Sequence, residues 1–589
     1  MASASGNAFD FSLFKRLIKY TNPYKWTFYF VALAAILLSF FAVLRPYLLQ
    51  VTIDDSIIPK DNDNLVFYIS MMLVVLFLEV IFQFCFIYFA NWLGQEVVRD
   101  LRVNLFKHML QFKMKYYDNS AVGRLVTRAV SDIETIASIF SEGLFMIASD
   151  LLKMLVVLGF MFYKSWQLTL LVLTVLPFIL YATRVFQKKM KIAFEDVRNQ
   201  VANLNTFVQE RITGMKIVQI FTREKVEYQK FKDINNKHKS AWIKTVWYNS
   251  IFFPIAEMST SITIGLIVWY GGLRVVESDA LSLGIIIMFI ELAQMLFRPL
   301  RQIADKFNTL QMGMVAANRI FAILDTDSVI KDTGSKEISN LKGEIEFENV
   351  RFSYNEGEEV LKGVTFKAEP GQTIAIVGAT GAGKSTVINL LNRFYEIDSG
   401  KILVDGMDIT DITLKTLRAE IAVVLQNVFL FADTILNNIT LQNPGITEDD
   451  VIKAAKEIGI HDFINSLPNG YYYNVKERGV MLSSGQRQLI SFLRAYVSNP
   501  SILVLDEATS SVDSYSEQLI QDATDKITAN RTSIVIAHRL ATIKKADRII
   551  VMDAGKIVEM GNHKQLLKVE NGFYKNLYEV QFMAEEESI

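Results

Sequence analysis

Apolar residues crowd the chain up to about Arg298 and thin out beyond it. A bilayer-spanning helix needs roughly 20 mostly apolar residues. Six stretches meet or approach that length: Trp26 to Leu49, Leu65 to Leu93, Leu144 to Tyr163, Leu168 to Val185, Ile251 to Tyr270 and Leu281 to Phe297. Several continue into polar sequence that still reads as helix, so the predicted helices run well past the lipid. Six such stretches in one half of a chain, separated by charge-bearing loops, argue against core helices of a soluble protein. Ahead of them, Phe11, Phe14, Leu17 and Ile18 recur on one helical face, with Lys15, Arg16 and Lys19 supplying charge. That pattern predicts an amphipathic helix lying on the membrane face; an ordinary helix packed against the membrane domain has the same pattern. Pro177, Pro254 and Pro299, in or beside spans, predict kinks or helix ends.

Past Phe297 a helix leaves the membrane and continues to Leu324, and a polar run then breaks the pattern. Short apolar runs follow at Gly343 to Phe352, Val364 to Ala368, Thr373 to Val377, Lys401 to Val404, Ala422 to Leu425, Ile502 to Leu505, Ser533 to Ala537, Arg548 to Asp553 and Lys556 to Glu559. Strands alternating with helices predict an α/β core around a partly parallel sheet. The domains are therefore placed at 1–325, an α-helical six-span membrane domain with two long loops; at 326–340, a linker; and at 341–589, the α/β domain.

Composition agrees with this division. The chain of 589 residues is 51% hydrophobic and 12% aromatic, with a mean hydropathy of +0.25. A net charge of −1 suggests no nucleic-acid partner. The single cysteine, Cys85, excludes an intrachain disulfide framework and any Cys-rich metal site. Residues 53–64 are acidic (Asp54, Asp55, Asp61 and Asp63 against Lys60), whereas 94–140 and 186–248 are basic. Basic loops stay inside. A multi-pass protein of the cell's inner (plasma) membrane is expected, with both termini, both long loops and the α/β domain in the cytoplasm. Glu79, Gln83, Asp150, Lys153, Glu257, Glu291 and Gln294 lie in or near the spans. Charge in lipid is costly, so these residues should face a cavity or one another. They mark either a substrate pathway or interhelical pairing.

The chemistry-bearing stretch is Gly378-Ala379-Thr380-Gly381-Ala382-Gly383-Lys384-Ser385-Thr386, between an apolar strand and a helical run. Strand, Gly-rich loop and helix are the context of a phosphate-binding loop. Glycines let the backbone approach phosphate oxygens, and N–H groups with the helix N-terminus supply donors. Lys384 is placed to reach the outer phosphates and the Ser385 hydroxyl to ligate Mg²⁺. The apolar run from Ile502 ends in Asp506-Glu507. Asp506 is suited to hold Mg²⁺ through water, and Glu507 to act as general base on the attacking water.

With these motifs on the page, the second half resembles an ATP-binding cassette. Leu482-Ser483-Ser484-Gly485-Gln486, between the two nucleotide motifs, is similar to the family's signature sequence, with Ser484 where the family usually has Gly. The resemblance implies that this element caps ATP held by a second cassette. It likewise implies Tyr354 as the adenine-stacking aromatic, Gln426 as the loop glutamine touching Mg²⁺ and water, Asp513 in the loop crossing the dimer interface, and His538 as the switch histidine on the γ-phosphate. The run from Asn474 to Gly479 resembles a segment that contacts the membrane domain, although the family's exporters often carry an acidic residue near Asn474. In the first half, Tyr117 to Leu125 and Glu210 to Glu224 match the exporter branch's cytoplasmic loops. Short transverse helices near Asn119 and Phe221 are expected to dock on nucleotide domains.

One membrane domain with one cassette resembles a half-transporter of the multidrug or lipid-exporter type. This implies a second half-transporter chain, the homodimer being favoured and a heterodimer allowed, with ATP and Mg²⁺ as cofactors. The expected function is ATP-driven export of an amphiphilic substrate, drug-like or lipid, by alternating access. An ATP-gated channel or regulator has the same architecture, as does the competent subunit of a heterodimeric exporter.

Overall fold

A computed structural model describes residues 10–277, 281–338, 341–506, 514–537 and 539–581. The chain divides into two units: one holds residues up to Leu110 together with Ala121–Asp327, the other holds Gln111–Ser120 together with the residues from Ser328 on.

The first unit is helical. After α1 (Phe11–Lys19) come α2 (Lys25–Thr52) and α3 (Asn62–Met109). The segment α4 (Met114–Asp118) belongs to the other unit. There follow α5, a run over Val122–Lys164 with short π-helical segments, α6 (Trp166–Thr213), α7 (Met215–Ile220), α8 (Glu224–Glu277) and α9 (Leu283–Leu324). Among the described residues, five helices are long and apolar enough to cross a membrane, and they contain the first five predicted stretches. The sixth stretch, Leu281 to Phe297, forms the beginning of α9. Pro177, Pro254 and Pro299 lie inside α6, α8 and α9, so none of them ends a helix.

Burial in this unit runs opposite to that of a water-soluble bundle. Leu73, Phe77 and Phe84 of α3 are 61%, 67% and 66% exposed, a surface that lipid rather than water accommodates. The inward residues are apolar as well: Val157, Met161, Leu168, Val172, Phe289, Leu292 and Phe297 share one core. Asp150, read as a polar residue in a span, pairs with Lys306 of α9. One carboxylate oxygen of Glu79 is buried with no hydrogen-bond partner among the described residues.

Helix α1 takes the second of its two readings. Phe14 and Leu17 are buried, and the Arg16 guanidinium both pairs with Asp325 through two hydrogen bonds of 2.6 and 2.7 Å and lies 4.1 Å from the Phe321 ring centre. Protein, not lipid alone, covers its apolar face. Asp54, which the sequence offers only as a loop charge, accepts hydrogen bonds from the Ser282 hydroxyl and from the Gly284 N–H, the latter at 2.9 Å. It thereby satisfies a free donor at the start of α9.

In the second unit, β1 (Ile345–Ser353), β2 (Glu359–Ala368), β4 (Ser399–Val404) and β5 (Met407–Asp408) form an antiparallel sheet in the order β2-β1-β4-β5. The larger sheet has the order β10-β9-β3-β8-β7-β6, from β3 (Thr373–Gly378), β6 (Ile421–Val424), β7 (Ile502–Asp506), β8 (Thr532–Ile536), β9 (Arg548–Asp553) and β10 (Lys556–Gly561). All its pairings are parallel except β10 with β9. Alternate residues of β3 feed different cores, Ala375 and Val377 one and Ile374 and Ile376 the other. Burial on both faces explains why these strands read as unbroken apolar runs.

A Cβ built on Gly284 lies 2.6 Å from both the Asp54 carboxylate and the Gln50 carbonyl. Gly284→Ala should therefore cost about 1–3 kcal/mol of stability through overpacking, read as a lowered Tm of the detergent-solubilised protein. Adding Asp54→Ala should cost less in that background than in the wild type; simple additivity would contradict the contact.

Candidate nucleotide site

At the end of β3 the chain turns into the helix α10 (Lys384–Leu391). Gly378, at φ +150°, makes the turn, and a Cβ there would lie 2.1 Å from the Met552 carbonyl of the neighbouring strand β9. Only glycine fits so close to that backbone. Lys384 is buried and folds back over the loop, its Nζ donating to the carbonyls of Gly378 at 2.7 Å and Ala379 at 3.0 Å. Burial lowers its pKa, and the nearby Asp506 charge opposes that shift. An ammonium held there by neutral carbonyls is electrostatically incomplete, and phosphate oxygens are its natural complement.

The sheet brings a carboxylate to the same edge. Asp506 at the end of β7 lies beside Ile536 of β8, which lies beside Ile376 of β3. Ser385 Oγ donates to Asp506 Oδ2 at 3.5 Å. A hydroxyl and a carboxylate converging beside a phosphate loop are hard oxygen donors that suit Mg²⁺. Gln426 is exposed just beyond β6, which neighbours β7. Glu507, Asp513 and His538 lie outside the described residues.

Tyr354 follows β1, and its hydroxyl donates to Thr386 Oγ1 and accepts from Asn389 Nδ2, both at 3.3 Å. The rings of Phe352 and Tyr395 meet it edge-on at 4.8 and 5.1 Å. The signature element opens a fourteen-residue helix, α11 (Ser484–Val497). Ser483 Oγ accepts from the Gln486 N–H at 3.2 Å and Gln486 Oε1 from the Ser483 N–H at 3.0 Å. This capping box fixes the helix start. Leu482 and Gly485 are buried, whereas Ser483 and Ser484 are exposed. Thr380 and Gly381 are exposed at the loop tip, and Ala382, Gly383 and Thr386 are buried behind it.

The sequence points to a short helix near Asn119 at a nucleotide domain, but not to the longer segment, from Gln111 on, that belongs to this unit. Residues 111–120 are held by hydrogen bonds from Lys113 N–H to the Ser328 carbonyl, 2.7 Å, and from Ile330 N–H to the Gln111 carbonyl, 2.9 Å. Phe112 is buried, and Asp118 accepts the Tyr395 hydroxyl. Burial, and after it this bond, pushes the Tyr395 pKa above its ordinary value, so the phenol stays a donor. The helix expected near Asn119 is α4. That expected near Phe221 is α7, in the membrane unit, where Ile217, Ile220 and Phe221 are exposed.

A phosphate loop on a mainly parallel sheet, in a chain with long apolar helices, defines a membrane-bound ATPase. Comparison with known families specifies it further. Residues 28–300 match the ABC transporter transmembrane region and 361–510 the ABC transporter domain. An ATP-dependent lipid A-core flippase of Idiomarina loihiensis is 36% identical, over 97% of this chain and 98% of its own. The uncharacterized ABC transporter ATP-binding protein YknV of Bacillus subtilis is 35% identical over 98% and 95%. YgaD of the same species, provisionally named a multidrug export ATP-binding/permease protein, is 33% identical over 96% and 99%. The chain belongs to the ABC transporter family and is an exporter half-transporter, an ATP hydrolase coupled to transport. Such half-transporters generally work as dimers in the membrane.

Lys384→Met removes the charged donor and keeps an unbranched side chain only one atom shorter. It should weaken ATP binding by about 10- to 100-fold, the equivalent of roughly 1.5–3 kcal/mol for hydrogen bonds to a charged group. Equilibrium binding to the detergent-solubilised protein measures this, and an unchanged Kd would remove Lys384 from the site.

Proposed function

We propose that this chain exports an amphiphilic substrate, a drug-like molecule or lipid, from the cytoplasm as a homodimer in the inner membrane, with both termini and the cassettes in the cytoplasm. The observation that carries the reading is the joining, in one chain, of lipid-compatible apolar helices to a phosphate loop whose Lys384, Ser385 and Asp506 converge. The names of the flippase and multidrug-export relatives point to the same class of cargo. A cavity of about 830 Å³ in the membrane unit adds support. Phe186, Met190, Phe194 and Phe307 give it apolar walls, and Arg198 and Arg319 give it charge. A mixed lining of this kind suits an amphiphile.

In this reading each ATP lies between the phosphate loop of one chain, residues 378–386, and the Leu482–Gln486 signature of the other. Tyr354 carries the base, and Asp513 lies at the interface. Ser385, Gln426 and Asp506 hold Mg²⁺, which supplies charge neutralisation on the phosphates. Glu507 orients and deprotonates the attacking water, and His538 reports the γ-phosphate. ATP contacts available only when the cassettes close bias the membrane domain between inward and outward states, and hydrolysis removes them.

Inside-out vesicles containing this chain alone test the reading. ATP-dependent uptake of a fluorescent amphiphile is expected for the wild type and should be abolished in Glu507→Gln. Hydrolysis without uptake of any of a panel of amphiphiles would favour the channel or regulator. Neither activity in folded protein would mean that a different partner chain is required.

A further inference from the structure

A second cavity of the membrane unit, about 550 Å³ in volume, lies where the end of α1 meets α3. Lys19 and Tyr20 line it from the α1 side, and Arg99, Asp100 and Asn104 from α3. It shares no lining residue with the cavity of about 830 Å³ assigned to cargo. Lys19 is exposed and has no hydrogen-bond or ion-pair partner among the described residues. Arg99 donates to the Tyr24 hydroxyl at 2.8 Å and pairs with Glu96 at 2.7 Å and Asp100 at 3.1 Å. Asp100 takes Arg99 on Oδ1 and the Tyr24 hydroxyl, at 2.9 Å, on Oδ2. A carboxylate has about four lone-pair sites, so Oδ2 can accept again, and the side chain is 29% exposed.

The rings beside the cavity give its depth in the membrane. Tyr24 meets Trp92 edge-on at 5.7 Å, and Trp26, Tyr29, Tyr88 and Trp92 are exposed along the start of α2 and on α3. Exposed Trp and Tyr gather where hydrocarbon gives way to headgroups. Phe84, Tyr88, Trp92 and Arg99 recur at separations of four and seven, on one face of α3. Arg99 is about 10 Å past Trp92 along the helix, and its guanidinium reaches back to Tyr24, at the level of the rings. The exposed rings of Phe84 and Tyr88 on the same face offer apolar surface to acyl chains.

Two cations and a carboxylate in one cavity match a zwitterion. A headgroup with a phosphate and no cation would set its charge against Asp100, and like charges oppose one another. A choline headgroup brings a cation without an N–H donor, and such cations are held by cages of aromatic faces. Tyr20 is the one ring among the lining residues. A primary ammonium carries three donors, which a carboxylate accepts.

We propose that this cavity holds the headgroup of an ethanolamine-type membrane phospholipid, with Lys19 and Arg99 on the phosphate and Asp100 on the ammonium. The lipid is resident, not cargo, and the assignment does not rest on what the protein exports. It joins α1 to α3 through the bound headgroup.

The test uses the full-length protein, delipidated in detergent, and native mass spectrometry of the first bound lipid. Phosphatidylethanolamine, phosphatidylcholine and phosphatidylglycerol with the same acyl chains are titrated separately. Wild type should bind the ethanolamine lipid about three- to tenfold more tightly than either of the others, the range of one hydrogen bond. Lys19→Ala should weaken that binding by a similar factor, and because Lys19 is exposed and unpartnered its loss should leave the fold intact. Asp100→Asn should remove the preference for phosphatidylethanolamine over phosphatidylglycerol. Equal binding of the three lipids by the wild type, or an unchanged affinity in Lys19→Ala, overturns the assignment. Should Asp100→Asn fail to fold, since Tyr24 and Arg99 also lean on it, the ethanolamine-against-choline comparison in the wild type decides. Glycerophosphoethanolamine, which lacks acyl chains, is the last arm: competition at the same concentration as the lipid would make this a site for a soluble phosphoester and overturn the membrane source.

Discussion

Lys384 carries its ammonium into a loop where the carbonyls of Gly378 and Ala379 meet it. That placement depends on the sheet beneath. Strand β3 lies between β9 and β8, and the Met552 carbonyl of β9 leaves no room for a Cβ at Gly378. The loop must therefore turn through bare backbone, which is what allows carbonyls to cradle the lysine and N–H groups to face an anion. Asp506 reaches Ser385 because β7 is only one strand removed from β3, with β8 between them. Moving any of these strands by one residue would send alternate side chains to the wrong core and separate the hydroxyl from the carboxylate. The buried charge, the compressed turn and the metal-suited pair are thus three consequences of one parallel register.

The membrane unit answers a different solvent. Large apolar side chains stand on the outside of α3 over its apolar span, so removal from water is not what orients that part of the helix, while Leu93, Val97, Leu101 and Leu105 are buried farther along it. Polar contacts join parts of the unit that are far apart in sequence, and three of them converge on one helix. Asp54 engages the start of α9, Lys306 pairs with Asp150, and Arg16 pairs with Asp325. All three involve α9 or the residues at its ends, a helix whose Phe289, Leu292 and Phe297 are fully buried. The helix that precedes the cassette in the chain is therefore tied into its own unit at both ends and in the middle.

How much of this was legible follows from the range of each interaction. The strands of the large sheet were readable to within a residue or two, since runs such as Ile502 to Leu505 are buried on both faces and need no partner to be recognised. The phosphate loop was readable because its constraint is local. The two-residue strand β5, Met407–Asp408, leaves no apolar run and passed unseen. Helix α1 was ambiguous because periodicity records an apolar face without saying what covers it; Arg16 on Asp325 and Phe321 decides it. Asp54 and Ser282 are 228 positions apart, and Asp118 and Tyr395 are 277 apart. No pattern within a window connects such residues, so the contacts that hold Asp118 and cap α9 required the fold.

The segment from Gln111 to Ser120 gives that long-range pairing a mechanical meaning. Its backbone pairs with residues 328–330, Phe112 is buried, and Asp118 holds Tyr395, so the segment is part of the nucleotide unit. Yet Leu110 before it and Ala121 after it belong to the membrane unit, as the ends of α3 and the approach to α5. The chain therefore crosses between units twice within about a dozen residues, and once more at Asp327. For an ATP-hydrolysing transporter, these three crossings make α3, α5 and α9 the helices covalently joined to the nucleotide unit.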